Sequence, residues 1–431
     1  MDPIATLSEH VLRTRWEDLG APAVRAARTF ILDSLGVGVA GSAGPWADQL
    51  VAVQGGWGAG ADARNWGRGV ALPAPAAAMC NAYQVHNAEF DCVHEAAVVH
   101  PMAVVLPAVL AQAERQGGVS GRQLVLAVVL GVDVACRIGL AARTGLRFFR
   151  PGTAGAFAAT AAVGRLMRFD ADTLVNAMGI TLAQLCGTMQ AHLEGSPVLA
   201  LQVGFNARNA VMACDMAARR LVAPQAVLEG RFGYFKLFEG DHDRRALLDA
   251  LGRTWRITEV AHKPFPSGRA THGIVDAVLQ LKEAHGFAAA EVAAVACRVP
   301  PLVIRLVGRP VGDGMAPNYA RLCAGFVAAR ALLGDAVHVE DFAPAALGDA
   351  ETLALARRFE LRDDGNPDPN ALTPVTVEVR LDGGARHRIT LDVVYGNPAN
   401  PMTHEAHLAK FRRNWRAAAR PLPEANAIVW H

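Results

Sequence analysis

The chain has 431 residues, more than one hydrophobic core usually organises, so two structural units are expected. Hydrophobic residues make up 52% of it and charged residues 19%, an apolar balance that suits a large buried subunit face and points to a homodimer. With a formal net charge of +2 and acids interspersed among the basic residues, it offers no stripe for a nucleic acid, and no polyanion partner is expected.

The opening MDPIATLSEH has no basic stretch followed by an apolar one, which argues against a secretory signal and for a cytoplasmic location. From Leu7 to about Leu251, apolar residues recur at three- and four-residue spacing between Gly-Gly, Pro-Gly and Ser-Gly breaks, which predicts an all-helical block. Helices are expected over Pro22–Val39, Ser120–Leu140, Gly155–Leu166, Asp172–Gln184 and Asn206–Leu221, several opened by Asp or Ser caps. The glycine-rich GWGAGADARNWGRG follows no strand and opens no helix with a later acidic partner, so it reads as a surface loop and not as a dinucleotide cradle. The apolar runs AVVLPAVLA and LVLAVVLGVDVA are interrupted or too short to span a membrane, and no membrane partner is expected. Seven cysteines lie far apart without ligand-like spacing, so free thiols and no metal are expected.

The stretch NAYQVHNAEFDCVHEAAVVHPMAVVLP, from Asn81 to Pro107, sets Glu89, Asp91, His94, Glu95 and His100 beside apolar runs. Burying unpaired charge costs several kcal/mol, so this reads as a site before it reads as scaffold. Pro101 suits a first helical turn, which puts His100 at a helix N-terminus, where the dipole favours anions and depresses an imidazole pKa. A core histidine satisfied by a backbone carbonyl is the alternative at that position.

After Lys263 the texture changes. EVAAVACRVP and TPVTVEVRLDGGARHRITLDVVYG alternate in the manner of strands, the second with an Asp-Gly-Gly hairpin signal, beside helical stretches at Thr271–Ala284 and Tyr319–Leu333. GNPANPM is a linker, and HEAHLAKFRRNWRAAA is helical again, so the chain is expected to return to the first block.

These features together resemble the MmgE/PrpD family, that of 2-methylcitrate dehydratase, cis-aconitate decarboxylase and iminodisuccinate epimerase-like proteins. Asn81, His86, Phe90, Asp91, His100 and Pro101 match its first motif, KPFPSGRATH its second, and GNPANPM its third. The resemblance implies a mainly α fold: a discontinuous all-helical domain, residues 1–262 and 397–431, with a smaller α+β lid domain, residues 263–396. It implies a cofactor-independent lyase, a dehydratase or decarboxylase of a small di- or tricarboxylate, and leaves open a dicarboxylate epimerase or a non-catalytic metabolite-binding homologue. Carried over by motif, His100 and Lys263 exchange protons with Asp91 orienting them, while Glu89, Arg150, Arg208, Arg269 and His272 bind substrate. Each arginine alone also reads as an ordinary ion pair, and only convergence favours a site. The chain departs from the family pattern at Glu89, Cys92, Val93, Arg150 and Phe326, where relatives usually have Asp, Asp, Thr or Ser, His and Tyr. Tyr319 is a candidate to supply the missing phenol.

Overall fold

A computed structural model describes residues 2–334 and 336–425 of the chain. The first half is a succession of helices: α1 (Pro3–Arg13), α2 (Gly20–Gly41), α3 (Ala47–Trp57), α4 (Ala74–His86), α5 (Pro101–Gln116), α6 (Gly121–Ala141), α7 (Arg150–Leu166), α8 (Ala171–Leu182), α9 (Gln190–Glu194), α10 (Val198–Ala218) and α11 (Arg244–Leu248). Their composition explains both the helicity and the packing. Alanine has the highest helix propensity, and α4 and α7 are alanine-rich, so neighbouring axes approach closely. At Gly204 of α10 a Cβ would come within 2.7 Å of the Met79 carbonyl oxygen of α4, so only glycine allows that contact. Asp2, Ser120, Asp170 and Asp243 accept first-turn amides of the helices they precede, each satisfying donors that a helix start leaves orphaned.

Contrary to the reading of its apolar run as too short, α6 is long and apolar enough to cross a membrane, but 89% of its apolar window is buried inside the molecule. It packs against α5 and α7. Asp133 and Arg137 pair within it at 2.6 Å, and Arg137 also donates to the carbonyls of Asp249 and Thr254.

The second half holds α12 (Arg269–His285), α13 (Pro301–Val307), α14 (Pro317–Arg321), α15 (Ala324–Leu333), α16 (Pro344–Leu347) and α17 (Ala350–Ala356) around a sheet. Strand β1 (Ala63–Asn65) and strand β2 (Val70–Leu72) precede that sheet, and β3 (Val292–Val299), β4 (Phe359–Asp363), β5 (Val375–Leu381) and β6 (Arg386–Leu391) compose it in the order β4-β3-β5-β6. β3 pairs parallel with β4 and antiparallel with β5, and α12 packs on β5 and β6. The molecule is thus mainly α with a smaller α/β region. α18 (His404–Arg416) then packs against α2, where Lys410 Nζ reaches Asp33 at 2.8 Å and the carbonyls of Phe90 and Lys263.

Two expectations are corrected. Strands also occur before Lys263, because the glycine-rich stretch supplies the antiparallel pair β1–β2. The Tyr319–Leu333 helix is broken at Leu322–Cys323, where Cys323 bridges to Gly308, so Tyr319 and Phe326 lie on separate helices.

Candidate active site

The site grows out of the end of α4. After His86 the chain runs irregularly to His100, held by bridges between Val93 and Ala261 and between His94 and Val99. Glu89 and Val98 both take φ of 51°, a left-handed conformation that a β-branched valine adopts only when its surroundings impose it. His100 occupies the N-cap of α5 with Pro101 following, as its sequence predicts. The result folds His86, Glu89, Asp91 and His100 back onto one another.

Asp91, fully buried, is the hub. Its Oδ2 accepts from Nδ1 of His86 at 3.0 Å and from Nδ1 of His100 at 3.1 Å. Lys263 Nζ lies 3.8 Å from its other oxygen, and donates to Glu89 Oε2 at 2.9 Å and to the Glu89 carbonyl at 3.2 Å. Burial opposes ionisation of Asp91 and Glu89, but His86, His100 and Lys263 together hold Asp91 well below the usual carboxylate range, and Lys263 and the histidines pull Glu89 down to about 2. Burial also works against a charged His86, yet Asp91 and Glu89 raise its pKa. His100 goes the other way: desolvation outweighs the pull of Asp91 and lowers it. Of the pair, His86 is the one disposed to hold a second proton and His100 the one disposed to be neutral. Neutral His100 keeps Nδ1–H on Asp91 and turns its Nε2 lone pair towards the cleft.

That cleft lies between the helical body and the smaller α/β region, a lid only in its place over the cleft. His86, Glu89, His100 and Phe149 line one side, His192 and Leu199 another, and Gly268, Arg269, Leu306 and Leu322 the lid side. Its volume is about 70 Å³, room for roughly two waters, so anything larger enters only if the walls part. The ties that would yield are visible. Arg269 Nε donates to Glu95 Oε1 at 2.6 Å, Asn397 Nδ2 to Glu95 Oε2 at 2.6 Å, and Arg305 and Arg309 of the lid reach the carbonyls of Leu146 and His192. A Cβ at Gly195 would lie 2.7 Å from Tyr319, so here too body and lid touch.

Of the residues expected at the site, His100, Glu89 and Arg269 reach the cleft wall, and Asp91 stands directly behind His100. Lys263 does not reach the cleft, being consumed by Glu89 and Asp91. Arg150 does not either: its guanidinium is fully buried in a bidentate pair with Glu239, at 3.0 and 2.9 Å, and also donates to the carbonyls of Ala97 and Thr144. Arg208 bonds the Asn209 side chain on α10, nine residues or about 13 Å along the helix from the cleft residue Leu199. His272 is buried with Nδ1 at 3.3 Å from Arg269 Nη1 and Nε2 at 3.3 Å from the Ser267 carbonyl, so it orients Arg269 and touches no cleft. Tyr319 donates to the Pro310 carbonyl at 3.0 Å and stands in for no missing phenol.

Two histidines outside the expected set of site residues belong here, His86 although it matches the first motif. His86 shares Asp91 with His100. His192, on the short α9, is held neutral by burial and by Arg309, which bring its pKa down to about 4. Its Nδ1 lies 3.2 Å from Arg309 Nη2 and accepts from it, which leaves the ring proton on Nε2.

Among the described residues, His86, Asp91 and His100 place one ligand atom each within 4.8 Å of the others, a metal-like set that spacing along the chain does not reveal. The surroundings suit a metal poorly. The two Nδ1 atoms already share one Asp91 oxygen through hydrogen bonds, and the Lys263 ammonium lies where a divalent cation would be repelled.

Family models identify the two parts of the chain: the MmgE/PrpD N-terminal domain matches residues 5–246 and the MmgE/PrpD C-terminal domain residues 265–428. The chain belongs to the MmgE/PrpD family. Cis-aconitate decarboxylase of Mus musculus is 25% identical over 91% of this chain and 82% of that enzyme, and the Homo sapiens enzyme 26% identical over 91% and 83%. Cis-aconitate decarboxylase of Aspergillus terreus is 30% identical over 62% of this chain, and the chain spans 57% of that enzyme's length. The two matches cover both the helical body that carries His100 and the α/β region that carries Arg269.

Proposed function

We propose that this MmgE/PrpD protein is a cofactor-independent lyase of small polycarboxylates, with decarboxylation of a cis-aconitate-like tricarboxylate as the preferred reaction. The supporting observation is the His86–Asp91–His100 arrangement at the mouth of a cleft closed by Arg269, with relatives named for that reaction. In such a reaction the bond from a methylene carbon to its carboxylate breaks and CO₂ leaves. The electron pair forms a new terminal double bond, and the pair of the old double bond takes a proton at the carbon next to a remaining carboxylate. Of the imidazoles on the wall, His100, seated at the start of α5 with Asp91 behind it, is assigned the delivery of this proton through Nε2. Substrate carboxylates raise an adjacent imidazole pKa, so the neutral ring becomes protonated as the substrate enters. Asp91 keeps the ring oriented and stabilises its cation.

A second reading is favoured by one feature: desolvation lowers the His100 pKa and so favours its neutral ring, which suits proton abstraction beside a carboxylate, as in dehydration or epimerisation. Incubation with cis-aconitate, citrate-like and amino-dicarboxylate compounds in deuterated water, read by NMR and CO₂ release, separates the two. CO₂ with one deuterium in the product supports decarboxylation, and exchange or dehydration without CO₂ supports the second. Binding with neither would contradict both.

A further inference from the structure

Buried arginines in this protein have carboxylate partners: Arg137 has Asp133, Arg150 has Glu239 and Arg269 has Glu95. Arg321 is the exception. It ends α14 and is only 5% exposed, yet among the described residues its guanidinium donates only from Nη1, at 3.2 Å, to the neutral Asn318 side chain, and its Nε has no partner. Its guanidinium lies 4.8 Å from the Phe342 ring centroid, which compensates little of the lost hydration. Arg309, in the loop before α14, holds the His192 carbonyl and Nδ1 through Nη2, while its Nη1 is buried without a partner. Neither guanidinium enters an ion pair among the described residues.

Neither guanidinium lines the resting cleft, but both residues back its wall. The carbonyl of Arg321 accepts from the amide of Gly268 at 3.0 Å, and Gly268, Leu322 and His192 are cleft walls. Glu89, on the opposite wall, pulls electrostatically on both guanidiniums, but burial keeps each below its ordinary pKa, Arg321 at about 10. Arg269, by contrast, is already neutralised by Glu95 and tied to the Tyr395 carbonyl at 2.7 Å. The uncommitted positive charge at this cleft is therefore on the lid, in Arg321 and Arg309. A buried guanidinium with vacant donors is matched by the planar, bidentate acceptor of a carboxylate.

We propose that Arg321 and Arg309, together with the Nε2–H of His192, form a second carboxylate subsite on the lid side, which holds the substrate carboxylate remote from His100 and so selects tricarboxylates over dicarboxylates. This rests on the polycarboxylate reading above. The test is titration calorimetry of the full chain with tricarballylate, glutarate and inorganic phosphate, for the wild type, Arg321→Met and Arg309→Gln. Tricarballylate should bind the wild type, Arg321→Met should weaken it by roughly thirtyfold and Arg309→Gln by roughly fivefold, with glutarate changed by less than about threefold. In anion-free buffer Arg321→Met should melt several degrees above the wild type, since an uncompensated charge has been removed, and a given tricarballylate concentration should raise the melting temperature of the wild type more than that of Arg321→Met. Unchanged tricarballylate affinity in Arg321→Met, a melting temperature below that of the wild type without anions, or a wild type that binds none of the three anions would each overturn the subsite. Arg321-dependent binding without turnover of any polycarboxylate would instead defeat the lyase reading and leave the subsite standing.

Discussion

Replacing Lys263 by methionine is the perturbation whose size follows most directly from the geometry. Lys263 is fully buried, and its ammonium bonds Glu89 at 2.9 Å and lies 3.8 Å from Asp91. Glu89 titrates at about 2 against an ordinary 4.5, a depression worth about 3 kcal/mol. Because its folded pKa is depressed, Glu89 stabilises the fold above pH 4.5 and loses that contribution as the pH falls towards 2. Lys263→Met removes the main source of the depression and keeps the burial, so Glu89 is left with the weaker support of His86, 3.6 Å away, and loses its hydrogen-bonded counter-charge. The expected loss at pH 7 is about 3–5 kcal/mol, the usual range for breaking a buried pair from one side. Adding Glu89→Gln should recover most of it, since the double variant buries no unpaired carboxylate at that position. Urea unfolding at pH 7, followed by tryptophan fluorescence, measures both. A single variant that loses less than about 1 kcal/mol, or a double variant no more stable than the single, would refute the reasoning.

Arg269→Ala should weaken substrate binding by about 1.5–3 kcal/mol, measured by calorimetry, and should destabilise the protein as well, because Glu95 loses its 2.6 Å partner. His192, with a folded pKa of about 4 against 6.5, binds its proton more readily when unfolded; stability should therefore fall as the pH drops from 6.5 to about 4, and His192→Gln should flatten that part of a thermal-melt profile. Turnover should survive dialysis against a chelator, since Lys263 supplies the positive charge beside Asp91; loss of activity restored by a divalent ion would count against the hydrogen-bonded reading of His86, Asp91 and His100.

Local signals carried much of the fold and part of the site. His100 at a helix start is visible from His-Pro and the apolar run behind it, and the change of texture after Lys263 follows from alternation against helical periodicity. What failed were inferences about partners distant in the chain. Arg150 lies in a glycine-rich context that invites a ligand, but Glu239, 89 residues away, takes its guanidinium. Lys263 is claimed by Glu89 across 174 residues. His192 sits in a short helix with no motif around it, and the vacancy of Arg321 shows only once every neighbouring acid has been placed. The β1–β2 pair was hidden by its glycines, since three-residue strands are too short to establish an alternation.

The central claim, that His100 moves a proton at the substrate carbon, is tested most directly by comparing wild type and His100→Ala on the same substrate under saturating conditions. A fall in kcat of about a hundredfold or more is expected, with loss of deuterium incorporation from solvent and a substrate Kd within about threefold of the wild type. A His100→Ala protein that turns over and incorporates deuterium at the wild-type rate would contradict it.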